Sequence, residues 1–274
     1  MEYLLDTHFH LEFIEDIQHQ IEFLEQISKQ HVKIIAQTVT PTSFTKLLEA
    51  SSKWRQAIQP VVSLGFHPWW IHSEQQVENE LKVFKAVIHQ TNFIGEIGLD
   101  FSPKRLIDAH QSLQIRAFSE IIKSIIKASR QYQQAYVLSV HAVQSAAEVI
   151  NILEELNAYH ENMHVIMHRF AGTSDELTRH IRNSGYISIH PQMLKSKKGR
   201  AYVKQVPEDR VLIESDLPSS NPNVSVMNAL AEILIEDLTQ TVTAVSALRQ
   251  QPFLPIILKN QDRLYPNPFI KEKI

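Results

Sequence analysis

Short aliphatic and β-branched runs alternate with longer segments of helical period along almost the whole chain, and the alternation has a fixed step. The runs at Tyr3–Asp6, Val32–Thr38, Pro60–Gly65, Phe93–Ile97, Ala135–His141, Val165–His168, Tyr186–Ile189 and Arg210–Ser215 read as strands. Amphipathic segments lie between them, at Ile17–Gln30, Phe44–Trp54, Gln76–His89, Leu113–Tyr132, Ala146–Asn157, Ser174–Asn183 and Asn223–Leu238. From Asp6 to Asp216 is 210 residues in seven steps, or 30 per step, the length of a βαβ unit. The strand runs are nearly continuous in apolar character, as expected when both faces of a parallel sheet are covered. The pattern predicts an α/β chain folded as a (β/α)8 TIM barrel. It would form one domain over 1–274, with the barrel at about 3–240 and a C-terminal extension over Thr241–Ile274 that holds Pro252, Pro255, Pro266 and Pro268. A doubly wound sheet would open on a glycine-rich phosphate turn; the first turn here is Asp6-Thr7-His8-Phe9-His10, without glycine.

Active sites of such barrels lie at the C-terminal ends of the strands, and there the sequence places metal-binding side chains. His8 and His10 are two residues apart in extended chain, so both imidazoles point the same way. Glu96 is a carboxylate inside the apolar run Phe93-Ile94-Gly95-Glu96-Ile97, where an unpaired ion is costly and a cation is the natural partner. His141 and His168 each end an apolar strand, and Glu214-Ser215-Asp216 ends the eighth. Six donors, His8, His10, Glu96, His141, His168 and Asp216, exceed what one tetrahedral ion with an open position needs. They suit two divalent ions with Glu96 between them. Mixed imidazole and carboxylate donors admit zinc, manganese, cobalt or magnesium.

The ordered set Asp6-Thr7-His8-Phe9-His10-Leu11, Gly65-Phe66-His67-Pro68, Gly95-Glu96-Ile97-Gly98-Leu99-Asp100, His141, His168-Arg169-Phe170-Ala171-Gly172 and Glu214-Ser215-Asp216-Leu217-Pro218 resembles the TatD family of metal-dependent hydrolases, within the amidohydrolase superfamily. The resemblance runs from residue 3 to about residue 260. It implies a TIM barrel that hydrolyses DNA phosphodiester bonds, commonly from 3′ to 5′ on single strands. It also implies that His8, His10, Glu96 and Asp216 hold one ion, that Glu96, His141 and His168 hold the other, and that His67 faces the substrate phosphate. On that reading Asp216 and Glu96 are the catalytic carboxylates, Asp216 taking a proton from water and passing it to the leaving oxygen. Glu214 and Asp100 would orient the ligands or else form plain salt bridges.

Three positions depart from the family pattern. His141 is followed by Ala142-Val143 rather than by a polar residue and an arginine, Trp69 stands where a second histidine is common, and Phe9 replaces a frequent cysteine. Cations for a phosphate chain are available elsewhere. Arg169 follows His168, and Lys195, Lys197, Lys198 and Arg200 form the densest basic run, a phosphate track if not a solvated helix start. Trp69 or Trp70 would stack a base if not packed beneath a loop. His190 and His72 are lesser candidates to line the cleft, while His19, His31, His89, His110, His160 and His180 read as surface or capping residues.

Composition narrows the partners. No cysteine is present, which removes disulfides, thiolate metal sites and a Cys nucleophile. The balance of 27 Lys+Arg against 30 Asp+Glu rules out a uniformly basic nucleic-acid-binding surface, so single-stranded DNA would be met by a local patch. No run approaches the roughly 18 apolar residues of a membrane span, and no basic, apolar leader opens the chain. The expectation is a cytoplasmic enzyme with no membrane and no obligate protein partner. The rival reading keeps the metals and changes the substrate to a small molecule, an acyl ester or a cyclic amide, because fold and metal do not fix the substrate.

Overall fold

The computed structural model describes residues 3–265. Among the described residues nine strands run in chain order: β1 (Leu4–Phe9), β2 (Val32–Ala36), β3 (Val61–Val62), β4 (Leu64–Phe66), β5 (Phe93–Asp100), β6 (Tyr136–Val143), β7 (Met163–His168), β8 (Tyr186–Ile189) and β9 (Val211–Ile213). Helices fill the intervals between most of them. The chain divides into two compact units, one made of residues up to Ala36, Leu47–Val62 and the chain from Ser188 on, the other of Gln37–Lys46 and Ser63–Ile187.

In the first unit β1, β2 and β3 form a parallel sheet in that order, with Asp6 opposite Ile34 and Ile35 opposite Val61. The chain leaving β9 runs beside β1: Asp216 N donates to His8 O at 2.9 Å and His10 N to Leu217 O at 2.7 Å. Helix Ile17–Lys29 starts where Asp16 accepts the Gln18 and His19 amides. It buries Phe23, Leu24 and Ile27, and Phe9 stacks on Phe23 with centroids 4.8 Å apart. Each such fully buried side chain contributes about 1.5–3 kcal/mol. Helix Leu254–Leu264 pins the strands from below. Gln261 accepts from Leu5 N at 3.1 Å and donates to Tyr3 O at 2.6 Å, while Asn260 donates to Val211 O at 2.8 Å.

In the second unit the strands lie in the order β4-β5-β6-β7-β8, with Ile94 opposite Leu138 and Leu138 opposite Val165 in parallel register. Helix Gln111–Tyr132 buries the face Phe118, Ile121, Ile122 and Ile125 that its spacing defines. Gly98 sits at φ 143°, opposite His141, and a Cβ there would meet His141 O at 2.0 Å. Glycine is what lets β5 run this close to the backbone of His141.

Three expectations change. The strand read at Pro60–Gly65 is interrupted at Ser63 into β3 and β4, where Thr38 Oγ1 donates to Ser63 O at 2.8 Å and accepts the Gly65 N–H at 3.1 Å in place of ladder partners. The helix expected to end at Leu238 continues to Arg249 and buries Thr241 and Val245, so residues assigned to the extension are helical. Nothing breaks it until Gln250 turns to φ 56°. Pro266 and Pro268 lie outside the described residues. His180, read as a surface or capping residue, is fully buried. Its Nε2 reaches Tyr186 O at 2.8 Å and its Nδ1 reaches Tyr159 Oη at 2.9 Å. His19, His31, His89, His110 and His160 are exposed, as expected. Among the described residues no helix is long and apolar enough to cross a membrane.

Candidate metal centre

Two groups of donors stand out, one in each unit. In the first unit β1 carries His8, and His10 follows its end; their Nε2 atoms are 3.3 Å apart. Asp216 Oδ1 lies 3.7 Å from His8 Nε2 and 3.4 Å from His10 Nε2. Both histidines are buried, and Asp216 is held at φ 58°, the left-handed region that Asp tolerates better than most side chains. Beneath them Asp6, to which the sequence pattern assigns no role, joins the two segments. Its Oδ1 accepts His8 N at 3.0 Å and Ser215 N at 3.1 Å, and its Oδ2 accepts Ser215 Oγ at 2.5 Å. Burial pushes its carboxyl up to about 7 against the pull of the Ser215 and His8 hydrogen bonds. A carboxylate within an apolar strand, the signal that singles out Glu96, marks Asp6 equally. Buried Glu214 accepts a hydrogen bond from Ser188 Oγ.

In the second unit Glu96 Oε1 is surrounded by imidazole nitrogens: His141 Nδ1 at 2.7 Å, His168 Nε2 at 2.9 Å and His67 Nε2 at 3.1 Å. All four residues are buried. His141 Nε2 lies 3.5 Å from Asp100 Oδ2, leaving Nδ1 turned to the cluster in the carboxylate–histidine arrangement of metal ligands. Burial would lower the pKa of His141, but the Asp100 and Glu96 carboxylates outweigh it and hold it above the usual value. Burial likewise acts to raise Asp100, yet hydrogen bonds from His141, Ser102 and Trp69 keep it well below the carboxylate range. Gln114, another residue that nothing in the sequence pattern marks, fixes Asp100 by accepting its N–H and donating to its carbonyl, both at 2.9 Å.

His67 differs from its neighbours. Its Nδ1 accepts the Trp69 amide at 3.0 Å, so the ring proton belongs on Nε2, the atom that faces Glu96. A ligating histidine does the reverse, donating through the nitrogen that does not touch the ion. His67 is therefore built as a hydrogen-bond donor, although its position alone would admit it as a third ligand.

The remaining predicted residues are distributed as follows. Trp69 is 39% exposed, its Nε1–H tied to Asp100 Oδ2 at 2.6 Å. Arg169 is half-buried at φ 45°. Lys195 ends the helix Pro191–Lys195, and Lys197, Lys198 and Arg200 open the helix Lys197–Gln205 capped by Ser196, all four exposed. Arg200 also donates to Leu194 O at 2.9 Å. His190 is buried and caps the helix after it through Nδ1, whereas His72 is exposed.

The donor chemistry of both groups fits divalent cations. Within each, three His or carboxylate atoms lie within 4.8 Å of one another, and all are nitrogen or oxygen. Paired imidazole nitrogens at 3.3 Å beside a carboxylate repel one another unless a proton or an ion stands between them.

The family profile described as TatD related DNase matches residues 5–266. Human deoxyribonuclease TATDN3 is 25% identical over 272 residues, covering 96% of this chain and 94% of that one. The uncharacterized metal-dependent hydrolase YabD of Bacillus subtilis is 25% identical over 211 residues, covering 74% and 76%. Among solved structures, YJJV, a TatD homolog from Escherichia coli, superposes with a TM-score of 0.74 at 20% identity, covering 97% of this chain and 98% of that one. That likeness shows the fold, a TIM-barrel-like α/β arrangement of parallel strands, in line with the 30-residue step of the sequence.

Proposed function

The chain belongs to the TatD related DNase family, and on that premise we propose that it is a metal-dependent hydrolase of DNA phosphodiester bonds, acting on single strands from the 3′ end. The observation that carries the reading is the convergence of three buried imidazole nitrogens on one oxygen of Glu96, repeated in kind by His8, His10 and Asp216.

We assign His8, His10 and Asp216 to one divalent ion and Glu96, His141 and His168 to a second, with zinc, manganese or magnesium as candidates. Bound there, such ions supply Lewis acidity toward a phosphoryl oxygen and toward water. The protein does the rest. Asp100 fixes the His141 ring through Nε2, and Asp6 holds the backbones of His8 and Ser215 in place. His67 offers Nε2–H to a phosphate oxygen, a donor aimed by its own backbone hydrogen bond. Asp216 takes the proton of the attacking water and returns it to the leaving 3′ oxygen, so no covalent enzyme intermediate forms. Arg169, Lys195, Lys197, Lys198 and Arg200 are the cations proposed to follow the phosphate chain.

The reading is tested by offering the metal-loaded protein labelled single-stranded DNA beside a panel of acyl esters and lactams. Release of mononucleotides from the 3′ end is expected. Vigorous lactam or ester hydrolysis with intact DNA would replace it with the small-molecule reading.

A further inference from the structure

Trp69 is not a free stacking platform. Its Nε1–H is bound to Asp100, its ring meets His67 edge-on at 5.2 Å, and the Arg105 guanidinium carbon lies 3.9 Å from its ring centroid. Arg105 comes from the short helix Pro103–Asp108 that follows β5, and its side chain is 22% exposed. The carboxylate paired with it is the half-exposed Asp108, at 3.7 Å, longer than a hydrogen bond. An aromatic face positions a guanidinium without consuming its N–H donors, which leaves the planar fork available to an oxyanion. The ring of His141 is 6.2 Å from the ring of Trp69, so the guanidinium and His141 lie no more than about 10 Å apart. Asp100 links the two ends of this arrangement, binding the indole on one side and His141 on the other.

We propose that Arg105, held against Trp69, binds a phosphate of the DNA strand that flanks the one being cleaved. The inference rests on the phosphodiesterase reading above and deepens it. It makes the Trp69–Arg105 pair the feature that favours a strand with several phosphates over a diester with one, and it gives Trp69 the role of aiming a cation.

Binding is the direct test, because it does not require turnover. A fluorescent oligothymidylate whose 3′-terminal linkages are hydrolysis-resistant phosphorothioates is titrated into metal-loaded wild-type protein, Arg105→Gln, Trp69→Leu and Lys104→Gln over a range of salt. Lys104 is exposed, and its replacement removes the same charge one residue away. Arg105→Gln should weaken binding by about tenfold and reduce the salt slope by about 0.7, the value for one phosphate. Trp69→Leu should weaken it in the same direction, and Lys104→Gln should change it much less. An unchanged slope in Arg105→Gln, or equal losses for Arg105→Gln and Lys104→Gln, would overturn the role of Arg105 while leaving the phosphodiesterase reading to its substrate panel. Absence of wild-type binding to the oligonucleotide would overturn both.

Discussion

The Nδ1 of His67 accepts the backbone N–H of Trp69 at 3.0 Å and so commits the ring proton to Nε2. This separates His67 from His141 and His168, which share the same carboxylate oxygen. His67→Ala should therefore retain the metal content of the wild type and lose turnover by about 10²–10³, the usual cost of one donor to developing negative charge. Elemental analysis together with kcat decides the matter. Loss of a metal equivalent would make His67 a ligand.

Asp216→Asn keeps the shape of the side chain and removes both a base and a negative charge. Turnover should fall by at least about 10²–10⁴ while the circular dichroism and melting temperature stay close to wild type. Glu96→Ala should lose bound metal as well as turnover, because three imidazole nitrogens lose the oxygen around which they gather. Wild-type rates in Asp216→Asn would remove it as the base.

The run Lys195, Lys197, Lys198 and Arg200 is exposed at the junction of two helices. If these residues follow the DNA backbone, replacing all four by Ser should flatten the salt dependence of single-strand binding by about 0.7 for each phosphate that is no longer neutralised. A solvated surface predicts the same slope in both proteins.

His180 gives a pH dependence of stability unrelated to catalysis. Burial lowers its pKa to about 4 from the ordinary 6.5, only partly offset by the Tyr186 carbonyl. The unfolded chain thus binds the proton more tightly, and stability present above pH 6.5 is lost as the pH falls toward about 4. The difference of about 2.5 pKa units corresponds to roughly 3 kcal/mol. Urea unfolding at pH 7 and at about pH 4.5 should show a smaller pH slope for His180→Gln than for wild type. Parallel slopes would mean that His180 is not the group responsible.

The spacing of the elements and the clustering of imidazole and carboxylate side chains at strand ends are legible in the sequence because each rests on a short-range signal. Apolar runs set the strands, and a charged or imidazole side chain at the end of such a run has few stable fates besides pairing or coordination. The burial of His180 is not legible, because it depends on residues the local pattern does not announce: Tyr159 beside it, and Gly185, where a Cβ would fall 2.2 Å from the imidazole. The break at Ser63 is hidden for a similar reason, since it is made by the hydroxyl of Thr38, 25 residues away. Gln114 and Arg105 act on Asp100 and Trp69, outside their own local pattern, whereas His8 and His10 are marked as a pair by their spacing of two residues.

If imidazole and carboxylate side chains hold the ions needed to cut DNA, protein stripped of metal must be inactive and recover in proportion to the metal returned. Titration of the stripped protein with manganese or zinc, assayed on a 5′-labelled single-stranded oligonucleotide, tests this most directly. No cleavage is predicted before metal is added, with activity rising to a plateau at two equivalents. Cleavage by the stripped protein, or DNA left intact at saturating metal, would contradict it.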